Sequence, residues 1–264
     1  MRIVVLVKPV PDPASAGERL GPTHRLDRAA VPSVVNGNDE YALEAALKLI
    51  AGAPEGSDVT LLSMAPASAP DTLRKALAMG ATRGVLVSDP ALAGSDAVST
   101  ARVLAAALHE LEFDLVLAGV DTSDGVGGTV AAAIATHAGL PYLSYAARIE
   151  PDEAAGTVRV RRISPTGYDL LEARMPALIS CTQALGEPRY PSLKGIMAAR
   201  SKEIVTRSLS DLELDPVLVG GAATTTAVVG TQSPPARGAT EIVRGTPAEG
   251  AARIVELLAA RRLI

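Results

Sequence analysis

Over the first 140 residues, short apolar runs alternate with stretches in which small apolar residues recur every three or four positions. RIVVLV at 2–7, DVTLLSM at 58–64, GVLVS at 84–88 and DLVLA at 114–118 are five to seven residues long. They are largely apolar at successive positions, the pattern of strands buried on both faces of a parallel sheet. Between them, Ala42, Ala45, Ala46 and Leu49 repeat at helical spacing, as do Leu73, Ala76, Leu77 and Gly80. Ala97, Ala101, Leu104, Leu108 and Leu111 mark a third helix, and an alanine-rich fourth runs from Thr129 until Gly139 and Pro141 stop it. This alternation predicts an α/β fold, a mostly parallel sheet covered on both faces in a three-layer α/β/α arrangement.

After Pro141 the character changes. Residues 142–150, 157–163 and 177–182 read as strands joined by short loops and predict an antiparallel extension. A basic, methionine-containing segment at 191–202 reads as an exposed loop. Residues 217–240 are rich in Gly, Ala, Thr and Pro, with too little apolar periodicity for a core, and 246–263 has the spacing of an amphipathic helix. Such a connector and helix cannot stabilise themselves. The expected division is an adenine-nucleotide-binding domain at 1–216 and a C-terminal arm at 217–264 that packs on its own domain or on a partner.

Composition narrows the class. Of 264 residues 48% are apolar but only 2% aromatic, with no Trp and one Phe, so the core is built from Ala, Val and Leu. A net charge of -4 without acidic or basic blocks argues against general nucleic-acid binding. The single Cys181 excludes an internal disulfide and a cysteine-based metal cluster, and His24, His109 and His137 are not in metal-ligand spacing. Arg2 leads straight into a strand-like run, and no apolar stretch is long enough to span a bilayer. The expectation is a soluble, cytoplasmic chain without membrane insertion.

Candidate chemistry lies in the loops that follow the strands. DLVLAGVDTSDGVGGTVAAAIATHAGLP, at 114–141, reads as strand, Gly-rich loop, helix, an order that aims free backbone N–H groups and a helix dipole at an anion. Pro9, Pro11 and Pro13 fix an extended loop after the first strand, and Asn36 to Glu40 opens the first helix, with Asn38 or Asp39 expected as its cap. In open α/β sheets ligands bind at this edge. No G-x-S-x-G elbow, Cys–His pair, Walker loop or G-x-G-x-x-G is present. The loops at 8–13, 36–39, 64–66 and 120–129 suit enclosing an adenosine phosphate without reacting with it.

Several motifs, in order, resemble the electron transfer flavoprotein beta subunit over essentially the whole chain: VLVKPVPDP, NGNDEYALEAALKL, DTLRKALAMGATRGVLV, DLVLAG with DGVGGTV, and EPRYPSLKGIMAARSKEI. The resemblance implies a heterodimer with an alpha subunit that holds most of one FAD, while beta binds AMP, or a second FAD in the electron-bifurcating branch. It implies a three-layer fold of the adenine nucleotide alpha hydrolase-like kind and an electron carrier without catalytic residues. Such a carrier takes electrons from flavin dehydrogenases, such as the acyl-CoA dehydrogenases of fatty acid beta-oxidation, to a quinone reductase or other acceptor. By position, the adenylate role falls to Leu6, Asn36, Gly37, Asn38, Asp39, Met64, Val120, Asp121, Asp124, Gly125, Val126, Gly127, Gly128 and Thr129. Docking to dehydrogenases falls to Tyr190, Leu193, Lys194, Ile196, Met197 and Arg200. Asp169 stands where the family commonly has a flavin-facing Glu, one methylene shorter, and Val120-Asp121 and Thr129 replace frequent Lys-Gln and Gln. Two other readings compete: the beta subunit of an NADH-using bifurcating flavoprotein with two FAD, and a stand-alone adenine-nucleotide-binding regulator. The extension at 187–264 weighs against the regulator.

Overall fold

The computed structural model describes residues 1–264 apart from Ala16, Glu18, Arg237, Ala239 and Glu241. In chain order the elements are β1 (Arg2–Leu6), β2 (Pro9–Pro11), β3 (Ser33–Val35), α1 (Gly37–Leu49), β4 (Asp58–Met64), α2 (Pro70–Met79), β5 (Arg83–Val87), α3 (Ala97–His109) and β6 (Leu115–Gly119). There follow α4 (Val130–Ala138), β7 (Tyr142–Asp152), β8 (Thr157–Ser164), β9 (Gly167–Arg174), β10 (Ala177–Cys181), α5 (Leu193–Ala199), β11 (Ile204–Arg207) and α6 (Pro247–Ala260). The chain forms two units, Met1–Val228 and Val229–Ile264.

One nine-stranded sheet runs in the order β11-β5-β4-β1-β6-β10-β7-β8-β9. All pairings are parallel except those of β8 with β7 and β9. Period-two alternation divides each central strand between two cores. Ile3 and Val5 of β1 pack with α1 and α2, whereas Val4 and Leu6 pack with α3 and α4. Covering both faces is what demands the unbroken apolar runs of β1, β4 and β6.

The fold class agrees with the sequence reading, with local differences. Residues 177–182 were expected in the antiparallel extension, yet β10 lies parallel between β6 and β7. All five of its residues are buried, so ALISC carries the double-faced signature of a central strand. The extension is instead completed by β9, whose alternating exposed and half-buried residues mark a strand with one wet face. The proline-rich turn and the irregular stretch after it contain β2 and β3, a two-stranded antiparallel sheet where prolines are tolerated because both strands are edges. At the start of α1 the capping position belongs to Asn36, and no side chain caps it.

The expected loop at 191–202 is largely the short helix α5, started by Ser192, whose Oγ accepts the Gly195 N–H at 3.0 Å. Helix α5 and α2 are fastened reciprocally. Arg74 donates to the carbonyls of Ala199 (2.8 Å) and Lys202 (3.1 Å). Lys202 donates to those of Leu77 (3.1 Å) and Ala81 (2.5 Å). Gly195 lets the backbones approach, since a Cβ there would strike the Ala78 carbonyl oxygen. The run into α5 is pinned by Glu44 of α1, whose buried carboxylate accepts from Arg189 N (3.1 Å), Nε (2.7 Å) and Nη2 (3.1 Å).

In the second unit, α6 opens with a capping box between Thr246 and Glu249 and buries none of its residues. Ile254 and Val255 lie exposed along it. Among the described residues no helix is long and apolar enough to cross a membrane.

Glu44 generates the first expectation. Burial raises its carboxyl pKa, but the Arg189 bonds and the charges of Arg189 and Lys48 outweigh that and leave it below the usual carboxylate range. A lowered folded pKa adds stability above the unfolded value and loses it as pH falls. Glu44→Gln is therefore expected to lower stability near neutrality by about 1.5–3 kcal/mol, the worth of hydrogen bonds to a charged group. Urea midpoints should show that deficit shrinking as the pH is taken below about 4.

Candidate functional site

Parallel strands end together, so the loops after β1, β4, β5 and β6 converge on one edge of the sheet. Chain order reverses across β1, which pairs with β4 on one side and β6 on the other, and such a switch point opens a crevice between diverging loops. A cavity of about 740 Å³ lies there, within the range of small-molecule sites. Leu6 and Lys8, Met64 and Pro66, and the loop after β6 line one side, and residues 88–97 with Thr100 of α3 line the other.

The Gly-rich loop is held from behind by the start of α1. Asn36 Nδ2 donates to the Asp121 carbonyl at 2.9 Å, and its Oδ1 accepts the Ser123 N–H at 3.2 Å. Asn38 Nδ2 donates to Asp121 Oδ1 at 2.5 Å. Asp39 is buried and accepts the backbone N–H groups of Lys8, at 2.8 Å, and of Gly119. Gly119 is required by this approach, because a Cβ there would sit 2.5 Å from Asp39 Oδ1 and 2.8 Å from the Asn38 backbone. Burial pushes the Asp39 carboxyl up to about 7, against the opposing N–H donors and the Lys8 charge.

Charge at the loop is uneven. The Asp124 carboxylate, with no side-chain exposure, meets Lys8 Nζ at 2.8 Å and Arg28 Nη2 at 2.6 Å. Burial alone would raise its pKa, but the bonds from Lys8, Arg28 and Thr122 hold it at about 2. Two cations against one anion leave this cluster one net positive charge, with the cations on the cavity lining, where Asp89, Asp96 and Asp121 also lie. Beside it, α4 begins without a side-chain cap, Thr129 occupying the capping position, so its first N–H groups remain available. Gly128 takes a left-handed φ of +61°, and exposed Val126 a φ of +46°, so the backbone reverses tightly before the helix. The arrangement suits holding a phosphate. Cys181 is buried, and burial pushes its thiol well above the ordinary value. Among the described residues no group of His, Cys, Asp and Glu could hold a metal ion.

Of the residues singled out in the sequence, Leu6, Asp39, Met64, Val120, Asp121, Gly125, Gly127, Gly128 and Thr129 line the cavity. Asn36, Asn38 and Asp124 do not line it and instead support the loop from behind. Gly37 is the first residue of α1, and Val126 lies at the loop's exposed tip. Asp169 is elsewhere, on β9, paired with Arg162 Nε at 3.0 Å. Tyr190 (96% exposed) and Leu193 (78%) stand out from the surface with Lys194, Ile196, Met197 and Arg200 on or beside α5. The sequence reading missed Arg28, which belongs to no motif and reaches the loop only because β2 and β3 fold back. It also missed the wall at 88–97, although Ser88-Asp89-Pro90 after a strand carries the same strand-end signal as the other loops.

A model of the electron transfer flavoprotein domain matches residues 23–212. The electron transfer flavoprotein subunit beta of Mycobacterium bovis is 39% identical over 267 residues, covering 99% of each chain. That of Thermoanaerobacterium thermosaccharolyticum is 36% identical over the full length of both. The chain belongs to the electron transfer flavoprotein family, with the beta subunits. It is also 36% identical, over the full length of both, to the caffeyl-CoA reductase-Etf complex subunit CarD of Acetobacterium woodii. Electron transport is the role of this family. Its beta subunits are carriers, associated with flavin and AMP and paired with an alpha subunit.

Asp39 carries a pH signature of its own. Its folded pKa is raised, so its contribution is full below the unfolded value of 3.8 and is lost as pH rises through about 7. Urea midpoints of the native chain are expected to contain a decline between about pH 4 and about 7 that Asp39→Asn, although less stable overall, does not show. Parallel profiles for the two proteins would remove Asp39 as its source.

Proposed function

We propose that this chain is an AMP-holding electron transfer flavoprotein beta subunit that pairs with an alpha subunit carrying most of the FAD and docks flavin dehydrogenases. The observation that carries the reading is the uncapped N-terminus of α4 beside a net positive Lys8–Arg28–Asp124 cluster at the mouth of the cavity. Leu6, Asp39, Met64 and the loop from Val120 to Thr129 enclose the adenylate, with Asn36, Gly37, Asn38 and Asp124 setting the loop. A phosphate there takes backbone donors rather than side-chain donors, which suits the absence of Lys and Gln from the loop. The flavin supplies the redox chemistry, and this chain contributes binding, orientation and the partner surface. Asp169 faces the flavin edge of the partner, and the C-terminal unit lies on alpha, where its exposed apolar residues find cover. The protein works in the cytoplasm between dehydrogenases and a quinone reductase or other acceptor.

A second reading keeps the fold and replaces AMP by a second FAD. The likeness to a subunit of a caffeyl-CoA reductase-Etf complex favours it, as does a cavity whose far side extends beyond the phosphate loop.

Gly128→Asp places a carboxylate beside the phosphate and is expected to weaken AMP binding by on the order of 1–3 kcal/mol. Gly128→Ala carries the same left-handed backbone strain without the charge, and room exists for its Cβ, with Val120 O at 3.8 Å. Mass spectrometry of the denatured complex should find AMP retained in the Ala variant and lost in the Asp variant. Equal AMP content in both would defeat the phosphate assignment.

Docking needs a small anchor, because a carrier serving several dehydrogenases must also leave them. Leu193, at the exposed end of a helix that Arg74 and Lys202 keep rigid, offers that anchor with Lys194 beside it. Leu193→Ala is expected to raise the apparent KM for the carrier in a dehydrogenase assay on the order of tenfold, as for loss of an anchor worth about 2 kcal/mol. Flavin content, AMP content and melting temperature should stay unchanged. Loss of flavin or unfolding would mean that docking lies elsewhere.

A further inference from the structure

The far wall of the cavity, at 88–97, is a loop between β5 and α3 that belongs to none of the adenylate motifs. What holds it comes from the end of the first unit. After β11 the chain buries Leu209, Leu212 and Val219 in the core over α3. It then crosses the wall with a ladder of bonds. Leu209 N donates to Asp89 Oδ2 at 3.3 Å, and Gly221 N to the Ala93 carbonyl at 2.9 Å. Thr224 Oγ1 donates to the Gly94 carbonyl at 3.0 Å. Gly220, at φ +66°, sits so close that a Cβ would strike the Ala91 carbonyl oxygen.

The ladder ends on Asp96, whose two oxygens have separate tasks. Oδ1 caps α3 by accepting the Ser99 N–H at 2.8 Å. Oδ2 accepts the backbone N–H of Thr225 at 2.9 Å and its hydroxyl at 3.1 Å. Gly94, Asp96 and Thr100 all line the cavity. Residues 217–225, expected in the sequence to begin an arm that packs on its own domain or on a partner, are thus bonded to the loop at 93–96.

We propose that Asp96 and Thr225 form a clip that sets the far wall of the nucleotide cavity, making Asp96 a positioning residue for the bound adenylate and the segment at 209–225 part of the site. This rests on the reading of the cavity as an adenylate site. A wall clipped at Asp96 meets the non-phosphate end of the ligand already in place, whereas a released wall must be ordered when the ligand binds. The two oxygens allow the clip to be cut without cutting the helix cap. Asn is as good a cap as Asp, so Asp96→Asn keeps its Oδ1 on Ser99 while its amide turns donors toward the Thr225 N–H. Thr225→Val removes the hydroxyl bond alone.

The test uses the full chain co-purified with its alpha partner and freed of nucleotide, titrated calorimetrically with AMP. Asp96→Asn is expected to weaken AMP roughly tenfold, the equivalent of one charge-assisted bond, with Thr225→Val weaker by a smaller factor. The AMP-free Asp96→Asn complex is expected to melt somewhat lower, because a donor then faces the Thr225 N–H, so affinities are compared at a temperature where native and variant complexes are both fully folded. Native affinity in both variants, while Gly128→Asp loses AMP, would overturn the clip and leave the site standing. An unfolded population of Asp96→Asn at the titration temperature large enough to account for its weaker binding would also overturn it. Native affinity in all three variants would instead overturn the adenylate reading of the cavity.

Discussion

A buried carboxylate with backbone N–H groups on it is the constraint from which the rest of this molecule's site follows. Asp39 takes the N–H of Lys8 after β1 and that of Gly119 after β6 while standing in the first turn of α1. The ends of β1 and β6, neighbours in the sheet, are thereby fastened to the first turn of α1 at one point. A buried carboxylate with unmatched oxygens would be costly, so the loops cannot drift without exposing that cost. Gly119 is the steric condition for it, and Asn36 and Asn38 extend the same scaffold to the Gly-rich loop.

On that scaffold the charges are arranged for binding rather than reaction. Asp124 is neutralised by Lys8 and Arg28 and remains ionised far below neutrality, so it offers no proton to exchange. The positive surplus is local to Lys8 and Arg28, next to the free end of α4, while Asp89, Asp96 and Asp121 line other parts of the cavity. The same economy holds at the other functional surface: Glu44, Arg74 and Lys202 tie α5 and its approach to the body through buried or carbonyl-directed bonds. Leu193 and Tyr190 are then exposed on a firm support instead of a mobile loop.

Much of this was legible in the sequence, where local pattern and tertiary role coincide. Double-faced apolar runs marked β1, β4, β5 and β6, and glycine content marked the loop between β6 and α4. Legibility failed where a residue's role depends on distant chain. ALISC was grouped with its sequence neighbours, although its lack of alternation belongs to a central parallel strand. Arg28 becomes part of the site only through the β2–β3 pairing, and Glu44 reads as one more polar helix residue until Arg189 arrives from far along the chain. The composition of 217–225 did not say where the arm attaches, because its attachment uses backbone groups and two threonines, which leave no apolar period to find.

The central claim is that this edge of the sheet holds an adenylate without chemistry while the flavin is carried with the partner. The most direct measurement is a crystal structure of the purified heterodimer, with flavin and nucleotide counted in the same preparation. The account predicts one FAD and one AMP per heterodimer, the AMP phosphate lying on the first N–H groups of α4. A heterodimer that carries its flavin while this cavity contains no adenylate would contradict it.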